Sequence, residues 1–332
     1  MPAKVCVTTA GRGAWNSFAI VQRFVQSGLA DHYTLTPDPA GADLHIHVGT
    51  PESSQEHYFD SAARRFAFYT FAESTRVPDR WRAWFDRADQ VWIPSRFVGE
   101  VLTNCGVSSP LAYVPLGVPT PAERFLCRSG AAGPFTILWQ GSRLRAYRDG
   151  VEIDGDRKGG RVVEAAFRMA AIPNSRLVLK YLPSDPFEYD IETDNVRYIC
   201  RALPRDDLAE LDRDVDVFCW PTMGEGFGLP PLEKLVRGIP ALTTALSGMM
   251  DYLDDFATPR IVPDGLVDVR FNGVEARMAN VEPQSLAALL TDCAARRDEL
   301  WASRPALAAS AERWTLETRM WPAVRAAVES ML

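Results

Sequence analysis

The feature that most restricts how this chain can fold is a rhythm. Short apolar runs of strand length alternate with segments of helical period, and the series occurs twice. In the first half "AKVCVTT", "ADLHIHVG", "RRFAFYTF" and "DQVWIPS" read as strands. "WNSFAIVQRFVQSGL", "PDRWRAWFDRA" and "RFVGEVLTNCG" read as helices, the last closing on Gly106. The series restarts at Phe135 with "FTILWQG", followed by "RLVLKYL", "VRYIC", "VDVFCWP" and "IPALTT", with "GGRVVEAAFRMAA" and "PRDDLAELDR" as intervening helices. "FTILWQG" carries little polarity, as expected of a strand covered on both faces. Alternation of this kind predicts parallel sheets flanked by helices. The fold class is therefore α/β, with two doubly wound domains in tandem. A length of 332 residues agrees with two domains of about 150 residues each. "TPAERFLCRSGAAGP" is the linker candidate. The tail "AERWTLETRMWPAVRAAVESML" has a helical pattern, which Pro322 is expected to bend or break.

The stretch "EGFGLPPLEKLVRG", Glu225 to Gly238, follows a predicted strand directly. In parallel sheets ligands bind beyond the carboxyl ends of the strands. Gly226 and Gly228 let backbone approach a ligand closely. Pro230 and Pro231 suit the first turn of a helix, and Gly238 suits its stop. The helix start carries a partial charge of roughly +0.5 e and predicts an anion site. Glu225 and Glu233 are suited to accept hydrogen bonds from hydroxyls, while N–H groups and cations take phosphate. A nucleotide sugar has both kinds of group.

"EGFGLPPLEKLVRGIPALTT" resembles the Glu-x7-Glu signature of retaining GT-B glycosyltransferases of the "group 1" type, and the likeness is strongest from Phe135 to Leu253. The resemblance implies two Rossmann-like domains facing across a cleft. Residues 1–125 would bind acceptor, residues 126–310 would bind the nucleotide sugar, and residues 311–332 would cross back to the first domain. It implies that Glu225 contacts donor-sugar hydroxyls and that Glu233 binds the ribose. The backbone of Gly226, Phe227, Gly228 and Leu229 would approach sugar and phosphates. Lys158 matches the family's diphosphate lysine. Arg143 is the first choice for the diphosphate arginine, with Arg145, Arg148 and Arg157 as alternatives. On the acceptor side the resemblance points to the loop with Gly11, Arg12 and Gly13, and to Glu73 and Arg76 after a strand. The family's acceptor-domain histidine has no match. His45 and His47 share one strand face and read as satisfied core histidines.

The implied activity is transfer of a hexosyl unit from a UDP- or GDP-sugar to an acceptor hydroxyl with retention at the anomeric carbon. Lys158 and Arg143 would stabilise the leaving diphosphate, so neither metal nor cofactor is expected. Asp154 and Asp156 form a DxD spacing, and a plain turn is the preferred reading over a metal pair. A formal net charge of −7 disfavours nucleic acid and favours a glycan, small-molecule or protein acceptor, with at most peripheral membrane contact. The six scattered cysteines read as free thiols. With no signal-like start and no apolar run of about 20 residues, the expected location is cytoplasmic. Two other readings stay open: a nucleotide-sugar epimerase or phosphorylase on the same fold, and a degenerate nucleotide-sugar-binding subunit.

Overall fold

A computed structural model describes residues 2–10, 16–51, 62–122, 124, 133–142, 147–148, 151–152, 156–182 and 188–332. The chain divides into two units. The first holds Met1–Pro119, Asn272–Val274 and Arg313–Leu332, and the second holds Thr120–Phe271 and Glu275–Glu312. The linker candidate lies mostly outside the described residues.

In the first unit the order is β1 (Lys4–Thr9), α1 (Ser17–Leu29), β2 (Thr34–Thr36), β3 (Leu44–Val48), β4 (Arg65–Tyr69), α2 (Asp79–Phe85), β5 (Gln90–Ile93), α3 (Arg96–Asn104) and β6 (Leu111–Tyr113). The strands form one sheet in the order β2-β1-β3-β4-β5-β6, and every pair is parallel. All five residues of β3 are buried, as a strand covered on both faces must be. The Asn16 side chain caps α1 by accepting from the Phe18 amide at 2.9 Å. Val21, Val25 and Leu29 then form the buried face of that helix.

Residues 313–332 complete this unit. They are not one helix. A π turn at Leu316–Met320 precedes the final helix, Trp321–Met331, which carries Pro322 in its first turn. Proline therefore opens a helix here and does not kink one. Trp321 donates its indole N–H to the Phe24 carbonyl at 3.0 Å. It sits so close to α1 that a Cβ on Gly28 would lie 2.4 Å from its ring.

In the second unit the order is β7 (Phe135–Gly141), β8 (Tyr147–Arg148), β9 (Val151–Glu152), α4 (Gly160–Ala170), β10 (Ser175–Tyr181), β11 (Tyr189–Thr193), β12 (Val196–Cys200), α5 (Arg205–Arg213), β13 (Val217–Trp220), α6 (Leu229–Leu235), β14 (Ala241–Thr243), α7 (Met250–Leu253), β15 (Gly265–Phe271), β16 (Val274–Asn280), α8 (Pro283–Ala295) and α9 (Arg297–Ala311). The main sheet runs β11-β12-β10-β7-β13-β14, parallel except for the edge strand β11. The strand order reverses between β7 and β13, the place where such sheets open a crevice for ligands. A second, four-stranded sheet, β16-β15-β8-β9, was not foreseen. It pairs the long loop after β7 with a hairpin that the sequence reading left without structure.

Asp216, buried at the start of β13, ties the layers together. It accepts from the Thr136 amide at 2.7 Å and from Arg297 at 2.7 and 2.9 Å, and also from the Trp301 indole. Helix α9 is thereby fixed to the edge of β7 and β13.

Candidate active site

The candidate site is built from the loops that leave β7 and β13 at the reversal point. Three backbone features bring them together. Gly159 has φ +79° and lies so near β13 that a Cβ would be 2.4 Å from the Pro221 carbonyl oxygen. Only glycine permits that approach. The Lys158 carbonyl accepts from the Trp139 indole at 2.8 Å, and the Met223 amide donates to the Arg157 carbonyl at 2.9 Å. Arg157 and Lys158 are thus pinned beside the loop that carries Glu225.

Lys158 Nζ bonds Glu225 Oε1, and Arg157 Nη1 lies 3.5 Å from the same oxygen while donating to the Gly224 carbonyl. Thr222 donates its hydroxyl to Oε1 at 3.1 Å. Oε2 has no partner among the described residues. Burial pushes the Glu225 carboxyl up, but the charges of Lys158 and Arg157, with the bonds from Lys158 and Thr222, outweigh it and hold the group below its usual range. The residue is 6% exposed, so these partners keep a carboxylate charged in a nearly buried place.

The backbone of Glu225 is held from both ends. Its amide donates to Ser247 Oγ at 3.0 Å, and its carbonyl accepts from the Gly248 amide at 2.9 Å. Ser247 takes φ +60° to make this contact, a conformation that costs energy for a non-glycine residue. The Phe227 side chain is buried against Tyr252, with ring centroids 5.4 Å apart. Gly228 has φ +88°, and its carbonyl accepts from the Tyr252 hydroxyl at 2.8 Å. The loop is thereby anchored through its one large side chain, and Gly224 to Gly228 are all buried. Pro230 and Pro231 occupy the first turn of α6, so two amides there carry no proton.

Glu233 lies on α6 and is half-buried, with no hydrogen-bond or ion-pair partner among the described residues. Burial pushes its carboxyl up, Lys234 and Arg237 offset this in part, and Asp212 adds to it. Lys234 is structural: its ammonium bonds buried Asp212 at 2.5 Å.

The other expectations divide. Arg143, Gly11, Arg12 and Gly13 lie outside the described residues, as does Asp154. Asp156 accepts from the Arg161 amide in the first turn of α4. His45 and His47 bracket Thr8 Oγ1 at 2.7 and 2.8 Å; burial lowers them to about 4 and about 3, and the neighbouring His45 also lowers His47. Glu73 is half-buried in the loop after β4, while Arg76 is exposed and pairs with Asp79 at 3.0 Å. Among the described residues no group of three or more His, Cys, Asp or Glu could hold a metal, and no helix is long and apolar enough to cross a membrane. Sequence reasoning ranked Arg157 only as an alternative and passed over Thr222, Ser247 and Tyr252.

The structure is similar to Anabaena HepE in complex with UDP-glucose, with a TM-score of 0.68, 12% identity, and coverage of 99% of this chain and 100% of that one. It is similar also to sucrose-phosphate synthase from Thermosynechococcus elongatus (TM-score 0.66, 14% identity, 99% and 98% covered). The lipopolysaccharide outer core galactosyltransferase WaaB gives a TM-score of 0.61 at 11% identity, covering 99% of this chain and 100% of that one. The fold is GT-B. Residues 192–275 of this GT-B chain match the family model described as glycosyl transferases group 1, the stretch that contains Glu225 and Glu233. A stretch of 75 residues is 35% identical to the D-inositol 3-phosphate glycosyltransferase of Kribbella flavida. That match spans 23% of this chain and only 18% of the relative's length.

Proposed function

We propose that the protein is a retaining glycosyltransferase that moves a hexosyl unit from a UDP- or GDP-sugar to an acceptor hydroxyl. The observation that carries this reading is the convergence of Lys158 and Glu225 where the strand order reverses, with Glu225 Oε2 and the Glu233 carboxylate each lacking a partner among the described residues. Glu225 would take the hydroxyls of the donor sugar and Glu233 those of the ribose. Cleavage of the sugar–phosphate bond builds negative charge on the departing diphosphate. Lys158, with an arginine of the preceding loop such as Arg143, would stabilise it where it forms, without a metal. A group 1 match over residues 192–275 and a UDP-glucose complex among the structural neighbours support the donor class. Glu73 is the candidate for the acceptor side. A glycan, a small molecule or a protein fits the acidic balance, and a cytoplasmic location fits the donor.

The test is a thermal-shift screen of UDP- and GDP-sugars, followed by product analysis with the donor that binds. Nucleoside diphosphate released in step with a new glycoside of unchanged anomeric configuration is the expected result. Inversion would remove the retaining mechanism, and a C2- or C4-epimer without acceptor would favour an epimerase. Activity that survives EDTA supports the metal-free reading, and strict dependence on Mg²⁺ or Mn²⁺ overturns it.

A further inference from the structure

Lys158 faces two demands. In the ligand-free protein its ammonium is bonded to Glu225 Oε1. A diphosphate arriving beside it bears more charge than one carboxylate and competes for the same ammonium. When Lys158 turns to the diphosphate, Glu225 loses its nearest cation while it is still nine-tenths buried, where an unpaired carboxylate takes up a proton. A protonated Glu225 accepts sugar hydroxyls poorly.

The groups that face Glu225 among the described residues are Lys158 and Arg157 before α4, Thr222 at the end of β13, Ser247 after β14 and Tyr252 on α7. Apart from Lys158, the positive charge among these described residues comes from Arg157. Its side chain is 0% exposed, with Nη1 3.5 Å from Glu225 Oε1 and the guanidinium 5.7 Å from the Phe271 ring centroid. Arginine carries a fixed positive charge in proteins, and here that charge stands within ion-pair distance of the carboxylate and away from solvent. It also bonds the Gly224 carbonyl, one residue before Glu225.

We propose that Arg157 is a positioning residue that keeps Glu225 ionised, with Oε2 presented to the donor sugar, while Lys158 engages the diphosphate. The inference rests on the nucleotide-sugar reading above.

Calorimetric affinities for UDP-glucose and for UDP, measured between about pH 5 and pH 8, test it in the wild type, Arg157→Gln and Arg157→Lys. UDP lacks the sugar, so the ratio of the two affinities isolates the contact to Glu225. Arg157→Gln keeps an N–H for the Gly224 carbonyl and removes the charge. It should leave UDP affinity within about two-fold of wild type, because a loosened fold would weaken both ligands alike. The glucose advantage should disappear about 1–2 pH units higher than in the wild type, and Arg157→Lys should restore it. An unchanged pH profile of the ratio in Arg157→Gln overturns the proposal. Should that variant fail to fold, Arg157→Lys decides alone: a wild-type profile supports the role of the charge, and an alkaline shift despite the retained charge refutes it. If the wild type binds neither UDP-glucose nor UDP, nor GDP-glucose nor GDP, the donor reading itself falls and the inference falls with it.

Discussion

A carboxylate that must bond hydroxyls at neutral pH while shielded from water needs cations close by, and Glu225 has two of them on one oxygen. This has a measurable consequence for stability. The folded group titrates below its ordinary value, so its contribution is present above the unfolded pKa and is lost as pH falls through the lower folded one. Glu225→Gln should therefore flatten the acid limb of a stability–pH curve below about pH 4.5, as read by urea melts. Glu233 has the opposite sign. Its raised pKa means that the fold disfavours its charged form, so stability is greatest below the unfolded pKa and declines as pH rises through the folded one. Glu233→Gln should raise the melting temperature of the ligand-free protein and raise KM for donor, with kcat little changed. Lys158→Ala should lower kcat by about 100- to 1,000-fold at saturating donor; full turnover in that variant would remove it from the chemistry. At this scale the meeting of Lys158 with Glu225 was legible as a candidate, because their Gly and Pro neighbours are written in the chain. Arg157 and Ser247 were not. Complete burial of an arginine beside a lysine, and a serine at positive φ, leave no local sign in composition or period.

The apolar runs gave away the central strands because burial on both faces leaves no polar alternation to confuse. The hairpin of β15 and β16 failed the same test. Its buried side is a small cluster of its own residues, Val269, Ala276 and Met278, and the charged residues Asp268, Arg270, Glu275 and Arg277 are exposed among them. Antiparallel β11 was read past for a similar reason, with four of its five residues exposed. Two predictions belong to the elements. Gly159→Ala forces a side chain into the Pro221 carbonyl and requires a positive φ, so the two site loops must part. It should weaken donor binding and cost about 1–3 kcal/mol of stability, measurable by calorimetry and denaturant melts. Asp216→Ala removes the common acceptor for the Thr136 amide, Arg297 and Trp301. Leaving a buried partner uncompensated should cost about 3–5 kcal/mol by urea denaturation, although Asp216 takes no part in the proposed chemistry.

Each unit carries its own largely parallel sheet and its own core, and Lys158, Glu225 and Glu233 of the proposed donor site all belong to the second. A donor at 100 times its Kd should stabilise the unit that binds it by about 2.7 kcal/mol, and calorimetry should show which transition moves. Removal of residues 313–332 is expected to destabilise the first unit through loss of the Trp321 contact with Phe24 and the Val118–Thr315 bridge, while the pairing of Lys158 with Glu225 stays intact. That tail also sets a schedule for biosynthesis. The amino-terminal sheet is made first, yet the helix that packs on α1 leaves the ribosome roughly 200 residues later, a delay of about 10–40 s at ordinary elongation rates. During that interval the surface of α1 around Phe24 and Gly28 waits for Trp321, and a nascent chain stalled in this window should be the form that chaperones capture.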